Sequence, residues 1–151
     1  RDSSGFQLEV WNTHLEILES YTKSQAGEFA VVADSLRSAM IAKGYTPSGR
    51  LFLGDINVLP GSDIESILTR SGWIDAWNES RLGPGFSYGG GSMRDSNRVA
   101  SRRYDRIMSQ GTCVVDTAYI RGDKAVVTDS GPLFPSDHTL IVAKLRYGIR
   151  P

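Results

Sequence analysis

Phe6, Leu8 and Val10 alternate with polar or charged neighbours, and this period of two predicts a half-buried strand running into Asn12-Thr13-His14. From about Ser24 to Lys43 the period changes. Phe29, Val32, Leu36, Ala39 and Met40 recur at helical spacing and Gly44 follows as a stop, which predicts the longest helix of the chain. Arg50 to Gly54 (RLFLG) reads as a short apolar strand ending in Asp55. Ser62 with Glu65 three residues later is a capping box, predicting a short helix from Ser62 to Ser71 that Gly72 stops. Arg103–Ser109, Thr112–Ile120 and Thr139–Tyr147 read as strands, with a turn at Gly122-Asp123. Strand, helix, strand, helix and three further strands predict an α/β (α+β) domain, a mixed sheet with helices packed on it.

Between Asn78 and Ser101 the pattern dissolves into Gly, Ser and Arg, including Gly89-Gly90-Gly91. A segment that polar cannot be core, and a loop that long in a compact domain is functional or disordered. Its residues Gly83 to Ala100 are expected to lie outside regular structure, beside whatever cleft the strand ends form.

The 151 residues suit one domain, and a 40% hydrophobic, 23% charged composition excludes global disorder. Seventeen basic against seventeen acidic residues leave no net charge, so charge alone gives no reason to expect nucleic acid or a membrane. Apolar runs of only a few residues leave no membrane span. One cysteine excludes an intramolecular disulfide framework and a Cys-rich zinc site. Charge is uneven in one place: residues 81–106 carry six arginines and two aspartates. Arginine suits bidentate phosphate contact, and Phe86 and Tyr88 nearby offer stacking surfaces. A solvated loop whose arginines pair with acids elsewhere is the other reading.

The chain has two histidines, each in a polar triplet at a strand–loop junction: Asn-Thr-His at 12–14 and Ser-Asp-His at 136–138. Asp55 and Asn57 follow the RLFLG strand, and Asp105 sits in RRYDRI. Taken singly, these residues read as a turn, a loop cap, a surface ion pair or a core histidine. Taken together they form one constellation, because strand ends are where α/β folds gather active sites. Histidine, Asp and Asn without a Ser or Cys nucleophile suit phosphoester hydrolysis. There a divalent cation neutralises phosphate oxygens and an acid or base handles the water.

NTHLE at 12–16, GDIN at 54–57, YDRI at 104–107 and PSDH at 135–138 resemble, in order and spacing, the motifs of the C-terminal half of the endonuclease/exonuclease/phosphatase superfamily. RRYDRI followed by LFPSDH is most similar to the type 2 tyrosyl-DNA phosphodiesterase branch, with Phe86-Ser87-Tyr88 at its aromatic-Thr-Trp element. The resemblance implies half of a four-layer α/β/β/α sandwich, with helices on one face of its sheet. It implies a Mg²⁺-dependent (or Mn²⁺-dependent) phosphodiesterase acting on nucleic acid, DNA before RNA, as a monomer away from membranes. Carried onto this sequence, it makes His14 a donor to a phosphate oxygen and Asp55 the group that orients or deprotonates the water. Asn57 holds water or phosphate, Asp105 and His138 form an Asp–His pair, and Asp137 lies on the metal side. Tyr88, Arg94, Arg98, Arg102 and Arg103 become candidates for substrate contact.

In that superfamily an N-terminal half supplies a strand-borne Asn and the Glu that is the principal metal ligand. Neither motif occurs here, so the chain is expected to be a C-terminal half without its partner half. A catalytically inactive half-domain is therefore the rival reading. A deadenylase, an inositol polyphosphate phosphatase and a sphingomyelinase are sister activities on the same motifs.

Overall fold

A computed structural model describes residues 7–79 and 82–147, so the predicted contributions of Phe6 and Arg81 lie outside the described residues. The elements run β1 (Leu8–His14), α1 (Glu19–Ala42), β2 (Gly49–Asp55), α2 (Asp63–Arg70), β3 (Ile74–Asp75) and α3 (Ala76–Glu79). There follow β4 (Asp105–Gly111), β5 (Cys113–Arg121), β6 (Val126–Thr128), β7 (Gly131–Leu133) and β8 (Leu140–Tyr147). The main sheet has the order β1-β2-β4-β3, with β1 parallel to β2 and the β2–β4 and β3–β4 pairs antiparallel. It is mixed, as the element order implies.

β2 is buried along its first four residues because it lies between β1 and β4, with Leu51 and Phe52 on its two faces and the buried Arg50 guanidinium donating to Glu9, Asp34 and Gln110. Trp11, Phe52 and Met108 share one cross-strand row. That face packs against Ala26 and Ala33 of α1, Ile64 and Leu68 of α2, and Trp73. Phe29 enters the same core, 4.7 Å from Phe52 and edge-on to Trp11 at 5.5 Å between ring centres. On the other face Ile107 joins a second core with Trp77 and with Val115 and Ala118 of β5, closed by Ile141, Ala143 and Leu145 of β8.

Three features differ from the sequence expectation. Helix α1 starts five residues early, because its N-cap is Leu18, which has no capping side chain. Thr22 anchors that first turn by donating to the carbonyls of Leu18 and Glu16. The buried stripe of α1 is Thr22, Ala26, Ala30 and Ala33, while Val32 and Leu36 are exposed, because only small side chains let the helix lie close to the sheet. The last long strands do not extend the main sheet. β5 pairs with β8 in a separate ribbon, and β6 with β7 in a hairpin that the sequence pattern did not mark. Gly111 makes that break possible: it has φ +74, and a Cβ there would lie 2.9 Å from the Ser48 carbonyl. The capping box is present, Ser62 Oγ accepting from the Glu65 amide, while the Glu65 carboxylate accepts from the Gly61 amide at 2.6 Å.

Candidate active site

The register of the sheet builds the site. β1 and β2 are parallel, so both end at the same edge, and antiparallel β4 begins there. His14 is paired with Asp55, and Asp55 with Asp105, in a single row across three strands. Close approach of β1 to β2 requires Gly54, since a Cβ at that position would lie 1.9 Å from the Thr13 carbonyl oxygen. Gly54→Ala is expected to push the two strand ends apart, at about 1–3 kcal/mol in stability for an overpacked site. It should also separate His14 from Asp55, which a chemical denaturation series together with the His14 imidazole NMR shift would check.

Past Asp55 the chain turns through Asn57, the only described non-glycine residue with positive φ (53°). Asparagine tolerates this conformation, and here two contacts fix it. The Asn57 amide N–H donates to Asp55 Oδ1 at 2.7 Å, and Nδ2 donates to the Leu15 carbonyl at 2.8 Å. The same Nδ2 lies 3.0 Å from His14 Nε2.

His138 reaches the row from the far loop. It forms an isolated bridge with Tyr88, which also bridges Arg102, so a three-strand rung supports it. The next residue, Thr139, donates its amide to Ser87 O at 2.7 Å. His138 Nδ1 lies 2.7 Å from Asp105 Oδ2, a bond in which the carboxylate accepts, leaving Nε2 toward Asp55 Oδ2 at 3.7 Å. On the other side His14 Nε2 is 3.6 Å from the same oxygen. Asp55 thus sits between two imidazoles, its side chain only 11% exposed against 73% for His14. Burial raises its pKa from the ordinary aspartate value and the nearby Asp105 charge raises it further, while the Asn57 amide and the two imidazoles oppose this. A carboxylate whose proton affinity is raised is, once ionised, a better proton acceptor than a solvated one.

Asp55, Asp105 and His138 each offer a ligand atom within 4.8 Å of one another. Mg²⁺ and Mn²⁺ take oxygen ligands, and Mg²⁺ is often held by one or two carboxylates plus water. The donor set fits in that limited sense. Asp105 Oδ2 is already engaged by His138 and Asp55 Oδ1 by the Asn57 amide, so few oxygens remain. Asp137 is exposed and lines the same cleft, but its carboxylate lies outside that group and accepts from Ser136 Oγ at 3.3 Å.

The cleft encloses about 520 Å³ and is walled by His14, Asp55, Asn57, Tyr88, Tyr104 and His138. Tyr88 is stacked on Tyr104 at 5.5 Å and tilted against His138 at 4.9 Å. Tyr104, Glu16 and Gln25 line the cleft and were not marked by the sequence. Tyr104 could have been, since it precedes Asp105 at the mouth of a strand.

The arginines divide. Arg102 lines the cleft and donates to the Tyr104 hydroxyl at 3.2 Å. Arg94 is exposed and donates to the Ser130 carbonyl at 3.3 Å. Arg98 is bound to the carbonyls of Gly90, Ser136 and Asp137. Arg103 corrects the expectation of substrate contact: it is 6% exposed and its guanidinium is spent on buried Asp75. Residues 83–100 lie outside regular structure apart from the Tyr88 bridge, and they border two clefts, one of them the cleft just described. Among the described residues no helix is long and apolar enough to cross a membrane.

No family model and no curated protein matches the sequence. Solved structures do match the fold. An endonuclease/exonuclease/phosphatase family protein from Bacteroides thetaiotaomicron superposes with a TM-score of 0.70 at 17% identity, over 93% of this chain and 51% of that one. The mannosyl-6-phosphatase Bt3783 of the same organism gives 0.70 at 17% identity, over 91% and 51%. TDP2 from Caenorhabditis elegans gives 0.62 at 24% identity, over 93% and 42%. The chain spans about half the length of these structures and has the fold of that half.

Proposed function

We propose that this chain is the half of an endonuclease/exonuclease/phosphatase domain that carries the water-handling and phosphate-holding groups, and that the complete domain hydrolyses phosphodiesters in nucleic acid. The observation carrying this reading is the single row His14–Asp55–Asp105, completed by His138 on Asp105 and by Asn57 on Asp55 and beside His14. Asp55 Oδ2, between the imidazoles, takes the proton of the attacking water. As the new P–O bond forms and the ester P–O bond breaks, charge grows on the non-bridging oxygens and on the leaving oxygen, which departs as an alcohol with a proton from solvent. His14 and His138 present Nε2 toward that charge. Asp105 fixes the His138 tautomer and ring orientation through Nδ1. Asn57 Nδ2, donating to the Leu15 carbonyl and lying 3.0 Å from His14 Nε2, positions that imidazole. Asp55 and Asp105, with Asp137 nearby, are the residues of this chain that would contribute to holding Mg²⁺ or Mn²⁺. A bound divalent cation neutralises phosphate charge there. The stacked Tyr88–Tyr104 pair and Arg102 favour a substrate with a base or another planar group beside its phosphate. A 5′-tyrosyl DNA end is the specific substrate of that kind that the motif resemblance suggests.

The test is a substrate panel with a longer chain that includes the N-terminal half, in Mg²⁺. A 5′-tyrosyl oligonucleotide and an unmodified single strand are expected to turn over faster than mannose 6-phosphate. Preference for the sugar phosphate would move the substrate from nucleic acid to small phosphomonoesters while leaving the site intact.

A further inference from the structure

We propose that Arg98 is a positioning residue for His138, holding the 136–138 turn so that the imidazole stays on Asp105 and over the cleft. On its C-terminal side His138 is anchored firmly: Thr139 donates its amide to Ser87 O at 2.7 Å and its hydroxyl to Phe86 O at 3.1 Å. On its N-terminal side the bonds of Ser136 Oγ to the His138 amide and to Asp137 stay within the turn and tie it to nothing else. Arg98 makes that tie. Its Nη1 donates to Ser136 O at 2.8 Å and its Nη2 to Asp137 O. The guanidinium is itself fixed, by Nε to Gly90 O at 3.0 Å and by lying 5.2 Å over the ring of buried Phe134. Phe134 is held in turn by its amide on Met93 O at 2.8 Å.

A planar fork matches this work, because two adjacent carbonyls can be gripped at once with no rotor left free. Three of the five guanidinium N–H groups are committed to protein carbonyls, so the side chain acts on the turn rather than reaching out to a phosphate. The significance of this grip for catalysis rests on the function proposed above. The geometry it enforces does not.

The test is NMR of the ¹⁵N-labelled 151-residue chain, read at the two imidazoles. The Nδ1 proton of His138, deshielded and protected from exchange by its short bond to Asp105, is expected as a slowly exchanging downfield resonance. In Arg98→Ala that resonance is expected to be lost while the His14 signals stay in place. Arg98→Lys, whose ammonium can satisfy one of the two carbonyls, should keep a weaker and shifted one. Arg121→Ala, which removes an exposed guanidinium elsewhere, should leave it unchanged. An unchanged His138 resonance in a folded Arg98→Ala chain overturns the proposal. If that variant does not fold, an unchanged resonance in Arg98→Lys overturns it equally. So does a wild-type chain with no such resonance, since His138 is then not held on Asp105. None of these readouts involves turnover, so failure of the phosphoesterase reading would appear separately, as an inactive longer chain with an intact His138 signal.

Discussion

Asp55→Asn is expected to remove hydrolysis and stabilise the fold at the same time. In a longer chain with Mg²⁺, kcat should fall by about 10²–10⁴-fold, the usual range for a lost acid–base group. The asparagine can still accept from the Asn57 amide, so the turn survives and the loss is chemical. Stability moves the other way. Burial and the Asp105 charge raise the Asp55 pKa, so the folded state binds its proton more tightly than the unfolded state. Stability is then fully present below the ordinary carboxylate pKa and is lost as the pH rises through the raised folded value. Asparagine carries no such penalty. In the 151-residue chain with EDTA, Asp55→Asn should therefore raise Tm at pH 7, and the gain should shrink below the ordinary carboxylate range. A variant with lower Tm at pH 7 would mean that Asp55 is a net stabiliser through its imidazole neighbours.

Arg106→Ala is expected to cost about 3–5 kcal/mol, the usual penalty for breaking a buried pair from one side. Arg106 is 1% exposed, and its Nε is 3.0 Å from Glu65 Oε1 and 3.3 Å from Asp75 Oδ2. Arg103 is bound to the same Asp75 carboxylate. Removing Arg106 leaves Glu65 without its cation partner among the described residues and Asp75 with one of two. The same guanidinium donates to the carbonyls of Arg103, Asp105 and Val58, which lie on both sides of the site. Urea denaturation should show the stability loss, and the short contact from His138 to Asp105 should loosen with it. A loss under 1 kcal/mol would place the network's charges in water rather than in the interior.

The mixed α/β fold and the gathering of polar strand-end residues were both legible in the sequence. Polar residues at strand–loop junctions mark His14, Asp55 and His138 locally, and parallel pairing of the first two strands then brings the ends carrying His14 and Asp55 together. What was not legible depends on distant partners. Arg103 and Arg106 look like part of a basic loop until Asp75 and Glu65, from 28 to 41 residues away, are folded against them. Arg50 likewise reads as the polar start of an apolar strand, yet it is fully buried between Glu9, Asp34 and Gln110. The helix α1 misled in the opposite sense. Of its large apolar side chains Phe29 enters the core, but Val32 and Leu36 are exposed and Ala26, Ala30 and Ala33 form the buried stripe. The grip of Arg98 on the 136–138 turn has no local signature, since nothing near residue 98 points to carbonyls about forty residues later.

Turnover of an aryl phosphodiester such as bis(p-nitrophenyl) phosphate, measured with and without millimolar Mg²⁺, tests the half-domain reading most directly when two chains are compared. The 151-residue chain leaves few carboxylate oxygens for a cation, so it is expected to show no appreciable Mg²⁺-stimulated turnover. A longer chain that adds the N-terminal half should hydrolyse the ester in Mg²⁺, and Asp55→Asn should abolish this. Robust metal-dependent turnover by the 151-residue chain, lost on Asp55→Asn, would contradict the need for a second half. No turnover by the longer chain in either Mg²⁺ or Mn²⁺ would contradict the assignment of the His14–Asp55–Asp105–His138 row to phosphoester hydrolysis.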